Sequence, residues 1–176
     1  SSAELNPTGV VIQLSIHHID TFRYLHGPIR SVTARMKRMH ATADVEDPAM
    51  IIMEHENGIL SYTGGGWSCP WAFHMNVHGT KAVAHFRITG QQWRDPSKAP
   101  EPIRLHIDRE PLGDKTVLDM PDGDMFRDAL EDFADCVRED RSPEVDGRVA
   151  FEDLAVVYAA AESSRTRKTV EMKDFL

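Results

Sequence analysis

Hydrophobic and polar residues recur with a helical period between Gly9 and Gly27. An α-helix advances about 100° per residue, so side chains three or four residues apart share one face. Four polar side chains fall within a stripe roughly 60° wide, which we call the polar ridge: Gln13, His17, Asp20 and Tyr24. The two flanks are mostly apolar, with Ile12, Ile16 and Ile19 on one and Leu14, Thr21 and Leu25 on the other. A helix with two apolar flanks is largely buried, so we expect the ridge to face a cleft.

A run of strands is predicted after this helix, which ends at Gly27-Pro28 because proline cannot continue it. Asn57-Gly58 is the strongest hairpin signal in the chain. Polar composition predicts a mobile loop at His40–Pro48 and another loop at Gln91–Pro102. The predicted strands are Ile29–Arg38, Met50–Glu56, Ile59–Thr63, Trp71–His78, Lys81–Ile88, Ile103–Asp108 and the shorter Thr116–Leu118.

Helical periodicity returns in the last third of the chain. One apolar stripe contains Phe126, Ala129, Leu130, Phe133, Cys136 and Val137. Asp146 is placed to cap a second helix, whose apolar face contains Ala150, Phe151, Leu154, Ala155, Tyr158 and Ala161. A short strand, Thr169–Met172, follows. Strands followed by helices indicate an α+β fold with an open-faced, mostly antiparallel β-sheet and helices packed on one face.

Composition places the chain among ordinary globular domains. Its 176 residues, 41% hydrophobic and 27% charged, suffice for one well-cored domain. A formal net charge of -8 argues against nucleic-acid or anionic-membrane partners. The sequence has no apolar run of membrane-spanning length and no signal-peptide pattern. Cys69 and Cys136 form no motif, so we expect reduced thiols in a cytoplasmic protein, with a structural disulfide as the alternative.

His17 is the best candidate for acid–base chemistry, because an imidazole can give or take a proton at physiological pH. Asp20, one turn further on, could hold or polarise the ring, and the Gln13 amide could orient a substrate hydroxyl. Taken alone, the same spacing more often reflects a buried histidine satisfied by local hydrogen bonds. His18 points away from the ridge, toward Leu14, and is interpreted as structural.

The other histidines do not predict a metal site. His74 and His78 share a strand face, but residues four apart on a strand lie about 13 Å apart, too far to bind one ion. A site would have to be assembled across strands with His55, His85 or His106, and nothing in the spacing demands one.

Two further segments carry weaker signals. Gly64-Gly65-Gly66 lacks the G-x-G-x-x-G order of a nucleotide loop, so we interpret it as a bulge or a close backbone approach. Trp93-Arg94, in a predicted loop, could contact a ligand, although an aromatic on a loop more often packs peripherally.

The segment from Gly9 to Pro28 resembles the first helix of the C-terminal domain of the Gfo/Idh/MocA family, named for glucose–fructose oxidoreductase, inositol dehydrogenase and rhizopine catabolism. This motif is quite specific, and weaker matches extend the resemblance over nearly the whole chain. They are Pro28-Ile29-Arg30-Ser31-Val32, Glu56-Asn57-Gly58-Ile59, Phe126…Phe133, Asp146-Gly147…Ala150…Leu154 and Ser163-Ser164…Val170.

In that family an N-terminal Rossmann domain binds NAD or NADP and carries a catalytic lysine in a Glu-Lys-Pro segment. The C-terminal domain supplies an open-faced sheet for oligomerisation and a helix with an Asp-x-x-x-His pair facing the nicotinamide. The resemblance implies that His17 is the general acid/base and that Gln13 stands in place of the aspartate. An amide can orient a ring or a hydroxyl but cannot relay a proton, so we interpret the change as the mark of a subfamily. Substrate-binding candidates are Asp20, Tyr24, Trp93 and Arg94.

The sequence contains no Rossmann fingerprint and no Glu-Lys-Pro, and it begins with Ser1 rather than Met. We therefore interpret residues 1–176 as the substrate-binding and oligomerisation domain of a longer NAD(P)-dependent oxidoreductase acting on a sugar, polyol or cyclic diol. We expect a homodimer through the open sheet face, and neither bound cofactor nor turnover for this chain alone.

The alternative is a free-standing, non-catalytic scaffold that dimerises or binds a small polar ligand. About 120 to 150 upstream residues with a nucleotide-binding motif would favour the enzyme. An initiator Met directly before Ser1 would favour the scaffold.

Overall fold

The computed structural model describes residues 4, 6–39, 44–90, 92, 101–110, 113–120 and 123–175. The chain divides into two compact units, one formed by Ser1–Cys69 with Asp140–Leu176 and one by Pro70–Glu139. Each unit contains a four-stranded antiparallel sheet. The predicted α+β class is confirmed, whereas the strands form two hydrogen-bonded sheets rather than one.

The elements follow the predicted order along the chain. The first unit begins with a π-helix, Val11–Ser15, then α1 (Ile16–His26), β1 (Ile29–Met36), β2 (Ala49–His55) and β3 (Leu60–Gly65). The second unit contains β4 (Ala72–His78), β5 (Ala82–Thr89), β6 (Arg104–Arg109), β7 (Asp114–Asp119) and α2 (Met125–Glu139). The first unit resumes with α3 (Gly147–Thr166), β8 (Val170–Glu171) and a 3₁₀ turn, Met172–Asp174. The sheet orders are β3-β2-β1-β8 and β4-β5-β6-β7.

Alternation along β2 decides which face of the first sheet is covered. Ile51 and Met53 are buried, whereas Met50 and Ile52 are exposed. The buried face packs against α3 in one hydrophobic core, to which α1 contributes Ile19. In the first unit the helices therefore cover one face of the sheet and leave the other face open.

The predicted hairpin forms at Asn57-Gly58, where Gly58 has a φ of +85° that favours glycine. The Asn57 side-chain oxygen accepts a hydrogen bond from the Ile59 N–H at 3.1 Å. Its side-chain nitrogen donates to the His26 carbonyl at the end of α1, at 2.8 Å. One side chain thus shapes the turn and satisfies the helix terminus.

Side chains fix both ends of α3. Asp146 is the predicted N-cap, and its carboxylate accepts two backbone N–H groups of the first turn at 2.9 and 3.0 Å. Near the other end, the buried Ser163 hydroxyl accepts the Ala34 N–H of β1 at 2.9 Å and donates to the Lys168 carbonyl at 2.6 Å. The helix is therefore fastened to the sheet by hydrogen bonds as well as by apolar packing.

The glycine run after β3 lies where the backbone meets other groups closely. A Cβ on Gly64 would lie 2.2 Å from the Met50 sulfur, and one on Gly66 would lie 2.7 Å from a carboxylate oxygen of Asp47. The interpretation of Gly64-Gly65-Gly66 as a close backbone approach is confirmed at these two positions.

The segment predicted as a mobile loop, His40–Pro48, is described from residue 44 onward. Here Val45 and Asp47 are buried, which the acidic composition did not indicate. The Asp47 carboxylate accepts the Trp67 N–H at 2.7 Å and the Ser68 hydroxyl. A buried carboxylate is tolerated when its oxygens are hydrogen-bonded in this way.

The first helix differs from its prediction in two respects. It begins as a π-helix and becomes an α-helix at Ile16. The expectation of two buried flanks is wrong, since Ile19 is fully buried whereas Leu14 and Leu25 are exposed. The helix packs against α3 and β3 along one side, so the other flank meets solvent.

The helix α2 forms where the apolar stripe predicts it. Most of that stripe is exposed, including Phe126, Leu130, Phe133 and Val137. Among the described residues, no helix combines the length and apolarity needed to cross a membrane.

Candidate active site

The polar ridge lies at the surface of the first unit. Gln13 lies in the π-helix, and His17 and Tyr24 lie in α1, all with exposed side chains. Tyr24 is 74% exposed, and Asp20 is partly buried. The ridge is therefore open to solvent rather than enclosed in a cleft. π-Helical segments are frequent at functional sites, and this one places an amide shortly before the imidazole.

The backbone beneath His17 is well anchored. The Thr21 hydroxyl donates to the His17 carbonyl at 2.8 Å. On the opposite side of the helix, Val11 and Ile19 are fully buried in the core of the first unit. A fixed backbone with an outward-facing ring makes the His17 imidazole accessible to a small molecule.

His18 faces away from the ridge and binds β3. Its Nδ1 lies 2.9 Å from the Thr63 hydroxyl oxygen. Burial lowers the pKa of His18, and the charge of a protonated His17 lowers it further. His18 is thus held against the sheet, and His17 is the member of the pair that the ridge presents.

Asp20 of α1 is partly buried, and Asp153 of α3 is buried. Burial raises the pKa of Asp153 above its usual range; Arg23 opposes the rise, and Asp20 adds to it. The orienting or substrate-binding role of Asp20 stays a prediction.

Arg23 and Asp153 are the residues near the ridge that sequence reasoning missed. The Arg23 guanidinium forms ion pairs with Glu152 and Asp153. The apolar face predicted for α3 did not indicate Asp153, because Phe151 and Tyr158 of that face are exposed. The buried face of α3 instead includes Asp153, Val156, Val157 and Ala160. A charged residue on an otherwise buried face requires a partner.

The predicted ligand contacts Trp93 and Arg94 lie outside the described residues. Their neighbour Gln92 is buried and accepts the Thr89 N–H at 2.8 Å. Its amide nitrogen donates to the Glu101 carbonyl at 3.1 Å. Gln92 therefore joins the end of β5 to Glu101.

His55 is a structural histidine. It is fully buried, with Nδ1 2.8 Å from the Gly27 carbonyl and Nε2 2.9 Å from the Ser61 hydroxyl. The ring of His26 meets it edge to face, with centroids 5.4 Å apart. Burial lowers the pKa of His26, the His55 charge lowers it further, and a hydrogen bond with the Leu25 backbone opposes the shift. Both ring nitrogens of His55 are engaged, so it is not available to a metal ion.

Four further histidines, His74, His78, His85 and His106, lie on the second sheet, and His40 lies outside the described residues. The register places His85 of β5 opposite Asn76 and His106. Its Nδ1 lies 3.0 Å from the Asn76 side-chain oxygen, and its Nε2 lies 3.5 Å from an Asp108 carboxylate oxygen. In the part of the chain that the structure describes, no three His, Cys, Asp or Glu side chains are grouped to hold a metal ion.

Comparison with known proteins identifies the family. Residues 3–172 match the model of the Gfo/Idh/MocA oxidoreductase family, C-terminal alpha/beta domain. The chain belongs to this family. The match covers nearly the whole chain, as the resemblance of the first helix implied.

This Gfo/Idh/MocA domain spans about half the length of the relatives it matches. It is 25% identical over 182 residues to a D-apiose dehydrogenase of Paraburkholderia graminis, covering 96% of this chain and 46% of that protein. A crystal structure described as an NADPH-dependent oxidoreductase from Desulfitobacterium hafniense matches with a TM-score of 0.87 at 28% identity, over 97% of this chain and 50% of that one. An oxidoreductase from Agrobacterium radiobacter, solved with NAD+, L-tartaric acid and magnesium, shares the fold with a TM-score of 0.76 at 21% identity, over 96% and 50%.

Proposed function

We propose that this chain is the substrate-binding domain of an NAD(P)-dependent oxidoreductase acting on a sugar, a polyol or a cyclic diol, with His17 as general acid/base. The exposed imidazole on the polar ridge carries the proposal. Proton exchange with a substrate oxygen requires a titratable group that the substrate can reach. The name of the relative from Paraburkholderia graminis, D-apiose dehydrogenase, supports a polyhydroxylated substrate.

The ridge supplies polar partners for such a substrate. The Gln13 amide can donate and accept hydrogen bonds, and the Tyr24 phenol can do the same. Both side chains are exposed on the same helical segment as His17. Because Gln13 carries no charge, it orients a hydroxyl or the ring without stabilising an imidazolium electrostatically. In the oxidation direction, neutral His17 takes the hydroxyl proton as the adjacent carbon loses a hydride.

The hydride acceptor must be held elsewhere. A Rossmann domain binds a dinucleotide on parallel β-α-β units, whereas the strand pairs named in the described residues are antiparallel. These residues do not fit a dinucleotide in that manner, so we assign its binding to the rest of the full-length protein. When bound there, the nicotinamide accepts or gives the hydride, and this chain contributes the proton transfer.

Substitution of His17 in the full-length enzyme tests the proposal. We expect His17→Ala to lower kcat by about 10²–10⁴-fold, the usual contribution of a positioned acid/base. The pH dependence of kcat due to the imidazole should disappear with it. Steady-state kinetics between pH 5 and 9 with D-apiose and a panel of polyols measures both effects.

An exposed histidine on the second sheet provides the matched control. His78→Ala removes an imidazole from a solvent-facing strand position and should leave kcat within about twofold. Equal activity of the two variants, or an unchanged pH profile in His17→Ala, would contradict the assignment of His17 as general acid/base. It would favour the non-catalytic scaffold instead.

A homodimer through the open face of the first sheet is part of the proposal. Large apolar side chains are exposed on this face, namely Met50, Ile52, Leu60 and Tyr62. A contiguous exposed apolar patch normally marks an interaction site. We expect Ile52→Asp to convert a dimer into a monomer in light scattering, whereas Glu56→Ala, at the exposed hairpin, leaves the mass unchanged. A wild-type monomer at micromolar concentration would refute this part.

A further inference from the structure

The helix α2 exposes the apolar side chains that its sequence gathers on one face. On a helical wheel four of them lie within about 60° of each other, and we call this group the α2 stripe: Phe126, Leu130, Phe133 and Val137. These residues are 72%, 71%, 60% and 70% exposed. A surface helix of a globular protein ordinarily turns such a stripe toward a core and its charged face toward water. Here the face that should be covered meets solvent.

The rest of the helix surface is charged. The face opposite the α2 stripe carries Asp128, Glu131 and Asp135. Arg127 and Arg138 lie along one edge of the stripe, and they form exposed ion pairs with Asp128 and Asp135 at 3.9 and 3.0 Å. An exposed apolar patch with a polar rim is typical of an interaction site.

No element in the described part of the second unit covers the α2 stripe. Strands β4 to β7 pair with one another, and none of them packs along α2. The neighbouring edge of the apolar face is buried at Cys136, which is 3% exposed. The cover of the four exposed side chains therefore has to come from outside these elements.

The size of the α2 stripe argues against a second copy of the chain as this cover. A stable complex of separate chains buries about 800 Å² on each partner, contributed by about 20–30 residues. One stripe of four side chains offers much less. In the proposed function, two copies meet through the open face of the first sheet instead. A domain linked through the same backbone needs a smaller contact, because the linkage gives it a millimolar effective concentration.

The relatives of this chain contain such a domain. This chain covers 46% of the D-apiose dehydrogenase of Paraburkholderia graminis and 50% of the oxidoreductase from Desulfitobacterium hafniense. About half of each relative therefore lies outside the matched segment. In the Gfo/Idh/MocA family the C-terminal domain is paired with a Rossmann domain.

We propose that the α2 stripe is the surface onto which the nucleotide-binding domain of the full-length protein docks. The inference rests on the proposed function, which assigns dinucleotide binding to that part of the protein. The facing surface of that domain is apolar, because it covers two aromatic rings and two aliphatic side chains without leaving polar groups unsatisfied.

Thiol labelling of a cysteine placed in the stripe tests the docking. Leu130→Cys is made in the full-length protein and in the 176-residue chain, each also carrying Cys69→Ser because Cys69 is exposed. Mass spectrometry follows maleimide labelling of the peptide that contains residue 130. A domain docked about 90% of the time slows labelling about tenfold. We therefore expect labelling to be slower in the full-length protein than in the 176-residue chain by about this factor.

The next residue of the same helix provides the matched control. Glu131→Cys lies on the acidic face and should react at the same rate in both proteins. Equal rates at residue 130 in the two proteins, or equal slowing at residues 130 and 131, would overturn the proposal. Labelling of Leu130→Cys that slows in the 176-residue chain as its concentration rises would place a second copy on the stripe, and would also overturn it.

A charge in the stripe should release the docked domain, because docking would have to bury it. Val137→Cys serves as the probe in the full-length protein. Adding Leu130→Asp should restore its labelling to the rate in the 176-residue chain, whereas adding Glu131→Ala should leave it slow. A probe that stays slow in the presence of Leu130→Asp would contradict docking through the stripe.

Kinetics of the full-length enzyme separate this inference from the proposed function. Unprotected residue 130 in an enzyme whose kcat falls in His17→Ala would refute the docking surface and leave the acid/base role intact. Protected residue 130 in an enzyme whose kcat is unchanged in His17→Ala would support the docking surface and contradict the acid/base role.

Discussion

The His18 ring nitrogen lies 2.9 Å from the Thr63 hydroxyl, which joins the first helix to β3 across 45 residues of sequence. This bond is made on the side of the helix away from the polar ridge. The adjacent His17 ring is exposed, whereas the His18 ring holds the helix against β3.

Removing the Thr63 hydroxyl should therefore destabilise the first unit. Thr63→Val leaves the partly buried His18 nitrogen without this partner, at a cost of about 1–2 kcal/mol in the free energy of unfolding. Urea denaturation followed by circular dichroism measures the loss. Thr33→Val is the control, because Thr33 bonds the Thr169 hydroxyl at an exposed site, and we expect it to cost less than about 0.5 kcal/mol. Equal losses in the two variants would contradict this role of Thr63.

Acid should weaken the fold through His18 and His26. The pKa of each is lowered in the folded chain, by burial first and by a neighbouring histidine second. The unfolded chain therefore binds protons more tightly, and stability falls as the pH drops below about 6.5 toward the folded-state values. Above that range both rings are neutral in both states, so they add no pH dependence there.

The measurement is the free energy of unfolding between pH 8 and pH 5 in wild type and in a His18→Asn, His26→Gln double variant. The double variant should lose less stability over this interval, because two groups that take up protons on unfolding are gone. A steeper loss in the double variant would show that the shifts have the opposite sign.

Ser163 should be as important to stability as an apolar core residue. Ser163→Ala deprives the buried Ala34 N–H and the Lys168 carbonyl of their partner. We expect a loss of about 1–3 kcal/mol, the cost of leaving a buried polar group unsatisfied. Ser142→Ala, at an exposed position, should change the free energy of unfolding by less than about 0.5 kcal/mol. A neutral Ser163→Ala would mean that water replaces the hydroxyl.

Two glycines with positive φ should differ in their tolerance of a side chain. A Cβ on Gly9 would lie 2.2 Å from the Glu46 carbonyl oxygen, and Gly9 has a φ of +53°. Gly58 has a φ of +85° and nothing within 4 Å of the Cβ position. Gly58→Ala should cost about 1–2 kcal/mol from backbone strain alone, and Gly9→Ala should cost more because the backbone must also move. Thermal unfolding of both variants tests the order, and the reverse order would contradict it.

Local signals in the sequence predicted local structure correctly. The Asp146 cap, the Asn57-Gly58 hairpin and the apolar period of α2 each depend on residues within a few positions of one another. Such patterns determine hydrogen bonds and periodicity without reference to the rest of the fold.

The contacts around the polar ridge could not be predicted from local sequence patterns of this kind. Arg23 and Asp153 are separated by 130 residues, and nothing in the spacing along α1 reveals that Arg23 pairs with a carboxylate of another helix. The exposure of Leu14 and Leu25 likewise depends on which side of α1 the sheet and α3 occupy. Periodicity identifies the faces of a helix but not how many of them are covered.

Asn57 has a consequence for engineering the chain. Exposed hairpin tips ordinarily accept insertions, tags and circular-permutation breaks. Here the tip residue also binds the His26 carbonyl, so an inserted loop would detach the end of the ridge helix from the hairpin. A fusion point intended to leave the ridge undisturbed belongs away from this tip, however accessible it is.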